Sequence, residues 1–365
     1  MKSPVPEGSR LNAICPYFTM FPLSFPLSVL EGKSRAGEWV LDPFCGRGTT
    51  NFAARLLGLN SLGVDASPVA VAITAAKSVQ TTTADVVREA TAILEEQPAA
   101  TLPEGAFWTS AYHPRVLNDV CRLREALLVD ATSPARTALL GVMLGALHGP
   151  VQKRVPGYFS NQAPRTYAPK PAYAVRFWST RKLDPPNVEV LEVIRRRAHR
   201  FFDASIPGTA AVRLADARAL GALDPVSGPF RWVLTSPPYY GMRTYVADQW
   251  LRMWFLGGPA DVNYRPGPQL SHASPDAFAS DLRTVWHRAA AGSTIDAELV
   301  IRFGAIRDRA VDPTDVLMAS LQDSGWIARD IRPAGDALAG RRQADAFLRT
   351  RSTPIHEIDV RAIRA

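Results

Sequence analysis

A short apolar run that stops at two prolines carries the side chains best suited to chemistry. Residues 232–234 have strand character, and the sequence Ser236-Pro237-Pro238-Tyr239 follows one residue later. Because neither proline can donate to a sheet, the chain is predicted to leave the sheet in a rigid turn, where open α/β sheets place their ligands. A hydroxyl, free carbonyls and an aromatic ring are the groups needed to hold a flat, amine-bearing ring. On these residues alone, a proline-capped loop without such a role is the alternative.

A second cluster of residues indicates a nucleoside cofactor. An apolar strand is predicted to end at Asp42, a Gly-x-Gly turn follows at Gly46 and Gly48, and Thr49 is predicted to open a helix. Glycines let the backbone approach a ligand closely, whereas the absence of a third glycine and of a Gly-Lys-Ser/Thr sequence disfavours a phosphate cradle. The next strand is predicted to end at Asp65. A carboxylate in that position can accept both ribose hydroxyls.

Residues 151–200 change character and indicate a polyanionic partner. They hold eleven Lys and Arg residues against three acids, an excess equal to the +8 of the whole chain, with aromatic, Asn and Gln residues between them. Lys and Arg neutralise phosphates, aromatic rings stack on bases, and Asn or Gln can read base edges. A solvated basic loop with a helix is the alternative. The residues assigned to nucleic-acid binding are Lys153, Arg154, Arg165, Lys170 and Arg176.

Composition sets the remaining bounds. A chain of 365 residues with 47% hydrophobic and 21% charged residues is typical of a globular protein with a large core. No apolar run is long enough to span a bilayer, and no secretory signal is visible. Three cysteines without a CxxC pair argue against a zinc site and a disulfide framework, so a cytoplasmic location is expected.

The rest of the pattern predicts alternating helices and strands, without internal repeats. Helices are predicted over residues 68–94, 114–129, 134–148, 249–256, 275–291 and 313–325, and further strands over residues 211–217 and 298–304. The predicted organisation has three parts: a cofactor-binding half at 15–80, an inserted target-recognition segment at 81–207, and a catalytic half at 208–365.

Together the two clusters resemble the motif pair of bacterial DNA amino-methyltransferases. The resemblance lies in residues 42–50 and 236–239 and covers roughly residues 15–75 and 210–305. The aromatic residues Phe18 and Phe21, which lie between prolines, are similar to that family's amino-terminal cofactor motif; a core-packing arm is the alternative there. The resemblance implies an α/β fold: a Rossmann-like methyltransferase sheet with helices on both faces and an inserted helical, basic segment.

This resemblance implies S-adenosylmethionine as the cofactor. It assigns Phe44, Gly46 and Gly48 to the methionine-side loop. It assigns Asp65 to the ribose and Asp216 to the adenine. The complete set assigned to the cofactor is Phe18, Phe21, Asp42, Phe44, Gly46, Gly48, Thr49, Asp65, Asp216 and Ala217.

The implied reaction is methyl transfer to the exocyclic amine of a flipped base in double-stranded DNA, without a metal. Ser236 at the first position of the catalytic loop favours cytosine N4, with adenine N6 as the alternative. The Ser236 hydroxyl and the Pro237 carbonyl would accept the two N–H bonds of the amine, Pro238 would fix the turn, and Tyr239 would stack on the base. An RNA or protein N-methyltransferase and a non-enzymatic nucleic-acid-binding protein stay open as alternatives. A restriction–modification role with a cognate nuclease is a further expectation.

Overall fold

The structure is a computed structural model. It describes residues 8–17, 21–96, 101–150, 156–163, 170–202, 204–242, 249–264, 269–304, 311–336 and 356–365.

Contacts along the chain divide it into two compact units. The helical unit comprises Met1–Tyr17, Ala75–Ile206 and Tyr245–Pro266, and the sheet unit comprises Phe18–Thr74, Pro207–Thr244 and Gly267–Ala365. Residues 245–266 fall in the helical unit, although the sequence assigned them to the catalytic half. The functional division of the chain stays a prediction.

Within the described residues, the sheet unit contains seven strands. They are β1 (Trp39–Asp42), β2 (Asn60–Asp65), β3 (Ala210–Leu214), β4 (Phe230–Thr235), β5 (Ser293–Gly304), β6 (Trp326–Asp336) and β7 (His356–Arg364). Their order across the sheet is β3-β2-β1-β4-β5-β7-β6. Neighbouring strands from β3 to β5 pair in parallel, whereas β7 runs antiparallel to both β5 and β6. The strand order therefore reverses between β1 and β4, where open α/β sheets bind their ligands.

Helices cover both faces of this sheet, which explains why β4 has three consecutive apolar residues at 232–234. Trp232 and Leu234 pack into a core on one face, whereas Val233 packs into the core on the other face. The first core includes residues of α1 (Ser24–Leu30) and α2 (Thr49–Leu56), and the second includes residues of α11 (Pro275–Ala291) and α12 (Pro313–Leu321). A strand buried on both faces needs apolar side chains at consecutive positions. The predicted α/β, Rossmann-like fold class is confirmed.

The helical unit consists of helices with a core rich in tryptophan. Its elements are a 3-10 helix (Ser9–Ala13), α4 (Thr83–Glu95), α5 (Ala106–Ala111), α6 (Pro114–Val129), α7 (Pro134–Ala146), α8 (Pro171–Thr180), α9 (Val190–Phe201) and α10 (Trp250–Phe255). Helix α3 (Pro68–Ser78) extends from the sheet unit into it. The ring centroid of Trp108 lies 4.5 Å from that of Trp254 and 5.7 Å from that of Trp250.

One helix prediction differs from the structure, and another agrees with it. The predicted helix 68–94 is divided into α3 and α4, because the Thr82 hydroxyl accepts a hydrogen bond from Asp85 N and starts a new helix. Helix α7 is buried and closely packed, as predicted: a Cβ added at Gly141 would overlap Ala76 Cβ and lie 3.1 Å from Ile14 Cδ1. In the described part of the chain, no helix is long and apolar enough to cross a membrane.

Candidate active site

The glycine loop after β1 forms a cradle that only glycine allows. Gly46 and Gly48 have φ angles of 50° and 70°, in the left-handed region that side chains rarely adopt. A Cβ added at Gly48 would lie 2.6 Å from Thr74 Oγ1. The same Thr74 hydroxyl donates a hydrogen bond to Gly46 O at 3.0 Å, and Thr49, which follows Gly48, is buried at the start of α2. The loop is therefore fixed in shape, with bare backbone where a ligand can approach.

Asp42, the last residue of β1, is buried with one oxygen engaged. Its Oδ1 accepts hydrogen bonds from Thr235 Oγ1 at 2.6 Å and from Phe44 N at 3.2 Å. Its Oδ2 is buried without a hydrogen-bond partner among the described residues. Burial raises the pKa of Asp42 to about 6, and the hydrogen bonds from Thr235 and Phe44 offset part of this effect. A buried carboxylate oxygen without a donor can receive one from a ligand.

Asp65, at the end of β2, holds the glycine loop through a hydrogen bond. Its Oδ2 accepts a hydrogen bond from Gly46 N at 2.9 Å, and its Oδ1 accepts one from Ser67 N at 2.8 Å. Burial raises the pKa of this carboxyl, while the two backbone hydrogen bonds lower it. Since a carboxylate has about four acceptor sites, these bonds leave room for ribose hydroxyls. That role of Asp65 stays a prediction.

Asp216 follows β3 and lies in an ion pair that the sequence analysis did not predict. Arg218 Nη2 lies 2.6 Å from Asp216 Oδ2, and Arg218 Nη1 lies 2.7 Å from Asp281 Oδ2. The hydrogen bonds from Arg218 lower the pKa of Asp216. Ala217 is buried in the core. An adenine contact of Asp216 stays a prediction, and it would use the acceptor sites that Arg218 leaves.

The catalytic loop leaves β4 at Thr235, as the two prolines predict. Ser236 is half-buried, and its hydroxyl makes no hydrogen bond to a described residue. Pro237 is buried and Pro238 is exposed. The Ser236 hydroxyl is thus available to a ligand beside the end of β1.

Tyr239 is placed differently from the stacking platform that the sequence predicts. It is 8% exposed, its ring packs edge-to-face on Phe303 with centroids 5.4 Å apart, and its hydroxyl donates to Glu357 Oε1 at 2.6 Å. In this conformation neighbouring side chains cover most of the ring. Glu357 was missed by the sequence analysis, because no local pattern connects β7 with the catalytic loop.

The aromatic residues assigned to the cofactor site are partly buried. Phe21 packs edge-to-face on Phe25 with centroids 5.3 Å apart, and Phe44 packs edge-to-face on Trp286 with centroids 6.3 Å apart. Both rings also contact the cores described above. Phe18 lies outside the described residues.

The basic residues assigned to nucleic acid are only partly described. Lys170, which directly precedes α8, and Arg176, within α8, are exposed. Three of the assigned residues lie outside the described residues: Lys153, Arg154 and Arg165. Within the described ranges, no group of three or more His, Cys, Asp or Glu residues could hold a metal ion. The three cysteines are buried and form no disulfide bond.

The residues around the glycine loop fit S-adenosylmethionine, the cofactor expected from the sequence. The cradle at Gly46 and Gly48 leaves the backbone bare for close approach, and the free Asp42 Oδ2 offers an acceptor to a cationic amino group. Asp65 lies at the end of the next strand, where a ribose can be bound. Gly46, Gly48, Asp42 and Asp65 are thus the residues that would hold the cofactor.

Comparisons of the sequence with known proteins find a family and a short local match. A family model for N6 and N4 methyltransferases, described as DNA methylase, matches residues 4–76. The type II methyltransferase M.BsoBI of Geobacillus stearothermophilus is 52% identical over 33 residues, which are 9% of this chain and 6% of that protein. The match therefore spans only a small part of the relative's length.

Two methyltransferases are among the solved structures that align with this chain. An rRNA methyltransferase, aviRa from Streptomyces viridochromogenes, is 16% identical, with 98% of this chain and 92% of that chain covered and a TM-score of 0.35. A S-adenosylmethionine-dependent methyltransferase from Methanosarcina mazei is 10% identical, with 94% and 98% covered and a TM-score of 0.36.

Proposed function

We propose that this chain methylates the exocyclic amine of a flipped base in DNA. The proposal starts from the match between residues 4–76 and the DNA methylase family model. The same match confirms the expected cofactor, S-adenosylmethionine. We further propose cytosine N4 as the target atom, because Ser236 is the first residue of the catalytic loop. A restriction–modification role with a nuclease, and a cytoplasmic location, stay predictions.

The observation that carries this proposal is a hydrogen bond between the strand that leads into the catalytic loop and the strand that leads into the glycine loop. Thr235, the residue before Ser236, donates to Asp42, the residue before the glycine loop, across 2.6 Å. Strands β1 and β4 pair in parallel, so both loops leave the sheet at the same edge. The Ser236 hydroxyl therefore lies beside the loop that would hold the methyl donor.

The chemistry of the proposed reaction needs positioning more than it needs a strong base. The lone pair of an exocyclic amine is delocalised into its ring, which makes the nitrogen a poor nucleophile. When the Ser236 hydroxyl and the Pro237 carbonyl accept its two N–H bonds, the nitrogen turns towards sp³ and its lone pair becomes available. S-adenosylmethionine, when bound, supplies an electrophilic methyl group on a sulfonium. In the proposed transfer, an N–C bond would form as the S–C bond of the donor breaks, and the amine proton would leave to solvent. In-line proximity supplies most of the acceleration.

Stacking of Tyr239 on the base requires a change in the catalytic loop. The ring is 8% exposed in this structure, so a flipped base can use its face only after the loop has moved. Base flipping costs a few kcal/mol, and stacking offsets about 1–3 kcal/mol of that cost.

The outer face of α8 supports a nucleic-acid partner. Tyr173 is 37% exposed, its ring lies 6.2 Å from that of Phe177, and the Arg181 guanidinium lies 4.0 Å above the Phe177 ring centroid. Arg176 is exposed on the same helix, and no acidic residue lies between Lys170 and Arg181. Arginine and aromatic side chains together suit phosphates and bases. The inner face of α8 is buried through Trp178.

The experiment that tests the proposal identifies the modified base directly. Purified protein would be incubated with methyl-labelled S-adenosylmethionine and unmethylated genomic DNA, and the hydrolysed nucleosides separated by mass spectrometry. We expect N4-methylcytosine, and the Ser236→Ala variant should give little of it. N6-methyladenine would show the alternative target. A parallel incubation uses total RNA in place of DNA. Label in RNA but not in DNA would overturn the DNA assignment.

A further inference from the structure

A buried threonine outside the recognised motifs contacts the carboxylate of the cofactor site. Thr235 is 0% exposed and Asp42 is 1% exposed, and the hydroxyl of one donates to Oδ1 of the other at 2.6 Å. The two residues end neighbouring strands, and 193 residues separate them in sequence. The Thr235 backbone continues directly into Ser236.

We propose that Thr235 is a positioning residue of the methyltransferase site. Its hydroxyl keeps Asp42 ionised and turns Asp42 Oδ2 towards the cofactor, while its backbone fixes the start of the catalytic loop. This inference rests on the proposed function.

The charge of Asp42 depends on the few donors around it. Burial favours the protonated carboxyl, and the charge of Asp65 acts in the same direction. Against these stand the hydrogen bonds from Thr235 and Phe44 N and the nearby Thr50 hydroxyl. Among the side-chain donors, Thr235 makes the short bond, whereas the Thr50 hydroxyl donates to Leu234 O at 3.3 Å. Loss of the Thr235 hydroxyl therefore shifts Asp42 towards its neutral form.

The free oxygen of Asp42 gives this shift a consequence for binding. With Oδ1 held by Thr235, the buried Oδ2 lacks a donor among the described residues. A cationic amino group of the cofactor needs an ionised acceptor in that position. Protonation of Asp42 would remove the charge and place a competing donor there.

The test measures S-adenosylmethionine affinity by calorimetry from roughly pH 5.5 to pH 9, with the full chain. Losing one hydrogen bond to a charged group changes an ionisation equilibrium by about ten- to a hundredfold. For Thr235→Val we therefore expect an acid midpoint of binding that lies about one to two pH units higher than that of the unaltered protein. Thr235→Ser keeps the hydroxyl and should restore the unaltered midpoint.

The matched control is Ser320→Ala, which removes another fully buried, hydrogen-bonded hydroxyl of the sheet unit. It should lower stability and leave the midpoint unchanged. Thr235→Ala replaces Thr235→Val if the latter does not fold. A Thr235→Val midpoint equal to that of the unaltered protein would overturn the proposal.

A second measurement separates this inference from the proposed function. Carbon NMR of labelled aspartates follows the Asp42 carboxyl in the cofactor-free protein. If the unaltered protein binds no S-adenosylmethionine, the proposed function fails. The titration still decides the role of Thr235: a higher Asp42 pKa in Thr235→Val supports it, and an unchanged pKa refutes it.

Discussion

The phenol of Tyr239 donates a hydrogen bond to Glu357 Oε1 across 2.6 Å, although 118 residues separate the two. Both side chains are buried, and Phe303 packs against the edge of the phenol ring. Strand β7 thus anchors the catalytic loop. A hydrogen bond to a charged group in a buried setting is stronger than a neutral one.

Tyr239→Phe is expected to lower the free energy of unfolding by about 1.5–3 kcal/mol, since it removes this charge-assisted hydrogen bond. Glu357→Gln, which keeps an acceptor, should cost less than Glu357→Ala. Urea denaturation of Tyr239→Phe, of Glu357→Ala and of the double variant that combines them measures the coupling between the two side chains. Strictly additive losses would show that the two side chains do not interact.

Ser236→Ala is expected to lower the single-turnover rate of methyl transfer by about 10²–10³-fold, because one acceptor of the transition state is lost. Affinity for S-adenosylmethionine should stay unchanged. Rapid-quench assays on unmethylated duplex DNA measure the rate, and Ser28→Ala, at an exposed position of α1, serves as the control. An unaltered rate would make Ser236 a turn residue and remove the argument for cytosine.

Gly48→Ala is expected to abolish cofactor binding, because the new Cβ would meet Thr74 and force the glycine loop to move. Gly58 offers a matched control: it has the same φ of 70°, but a Cβ there meets nothing within 4 Å. Gly58→Ala should show only the backbone strain, about 1 kcal/mol of stability. Calorimetry with S-adenosylmethionine compares the two. Equal affinities would mean that the loop shape does not matter for binding.

Asp42 is expected to destabilise the folded protein at neutral pH. Its pKa of about 6 lies above the ordinary value of 3.8 that applies to the unfolded chain. Between about pH 4 and pH 6 the folded state keeps a proton that the unfolded state has lost, so stability falls as pH rises through this window. Asp42→Asn should therefore raise the free energy of unfolding near pH 7, by on the order of 3 kcal/mol, while cofactor affinity falls.

Urea unfolding of the cofactor-free protein near pH 5 and pH 7 checks this pH dependence. Asp130→Asn is the control of opposite sign, because hydrogen bonds from Thr132 lower the pKa of Asp130. Its carboxylate stabilises the folded state above the ordinary pKa, so the variant should lose stability at neutral pH. Identical pH profiles of the unaltered protein and Asp42→Asn would contradict the assignment.

The Arg176→Ala/Arg181→Ala variant is expected to flatten the salt dependence of DNA affinity by a slope of about 2, because two phosphate contacts would be lost. The control replaces two exposed arginines that already have acidic partners, Arg88 with Asp85 and Arg115 with Glu189. Fluorescence anisotropy over a series of salt concentrations measures both slopes. If the two double variants behave alike, α8 has no special role in DNA binding.

Local sequence patterns were sufficient to predict the centre of the sheet and the glycine loop. The strand ends at Asp42 and Asp65 follow from apolar runs with a polar residue after them, and the turn at Gly46 and Gly48 follows from glycine chemistry. The stop after β4 follows from the missing amides of the prolines.

Contacts between distant segments could not be predicted. The bonds from Thr235 to Asp42, from Tyr239 to Glu357 and from Arg218 to Asp281 join segments 193, 118 and 63 residues apart. No periodicity in one sequence encodes such pairs. Strands β6 and β7 were also missed, because charged residues interrupt their apolar pattern.

The position of β7 has a consequence for biosynthesis. It follows the other described strands in sequence but lies between β5 and β6 in the sheet. There Arg302 pairs with Asp359, and Glu298 lies opposite Ile363. Until residue 364 has left the ribosome, the nascent chain keeps the inner edge of β5 open, with unpaired amides and carbonyls. During that interval the emerging polypeptide is vulnerable to aggregation through strand addition by other chains. Synthesis of β7 both pairs this edge and brings Glu357 to the catalytic loop.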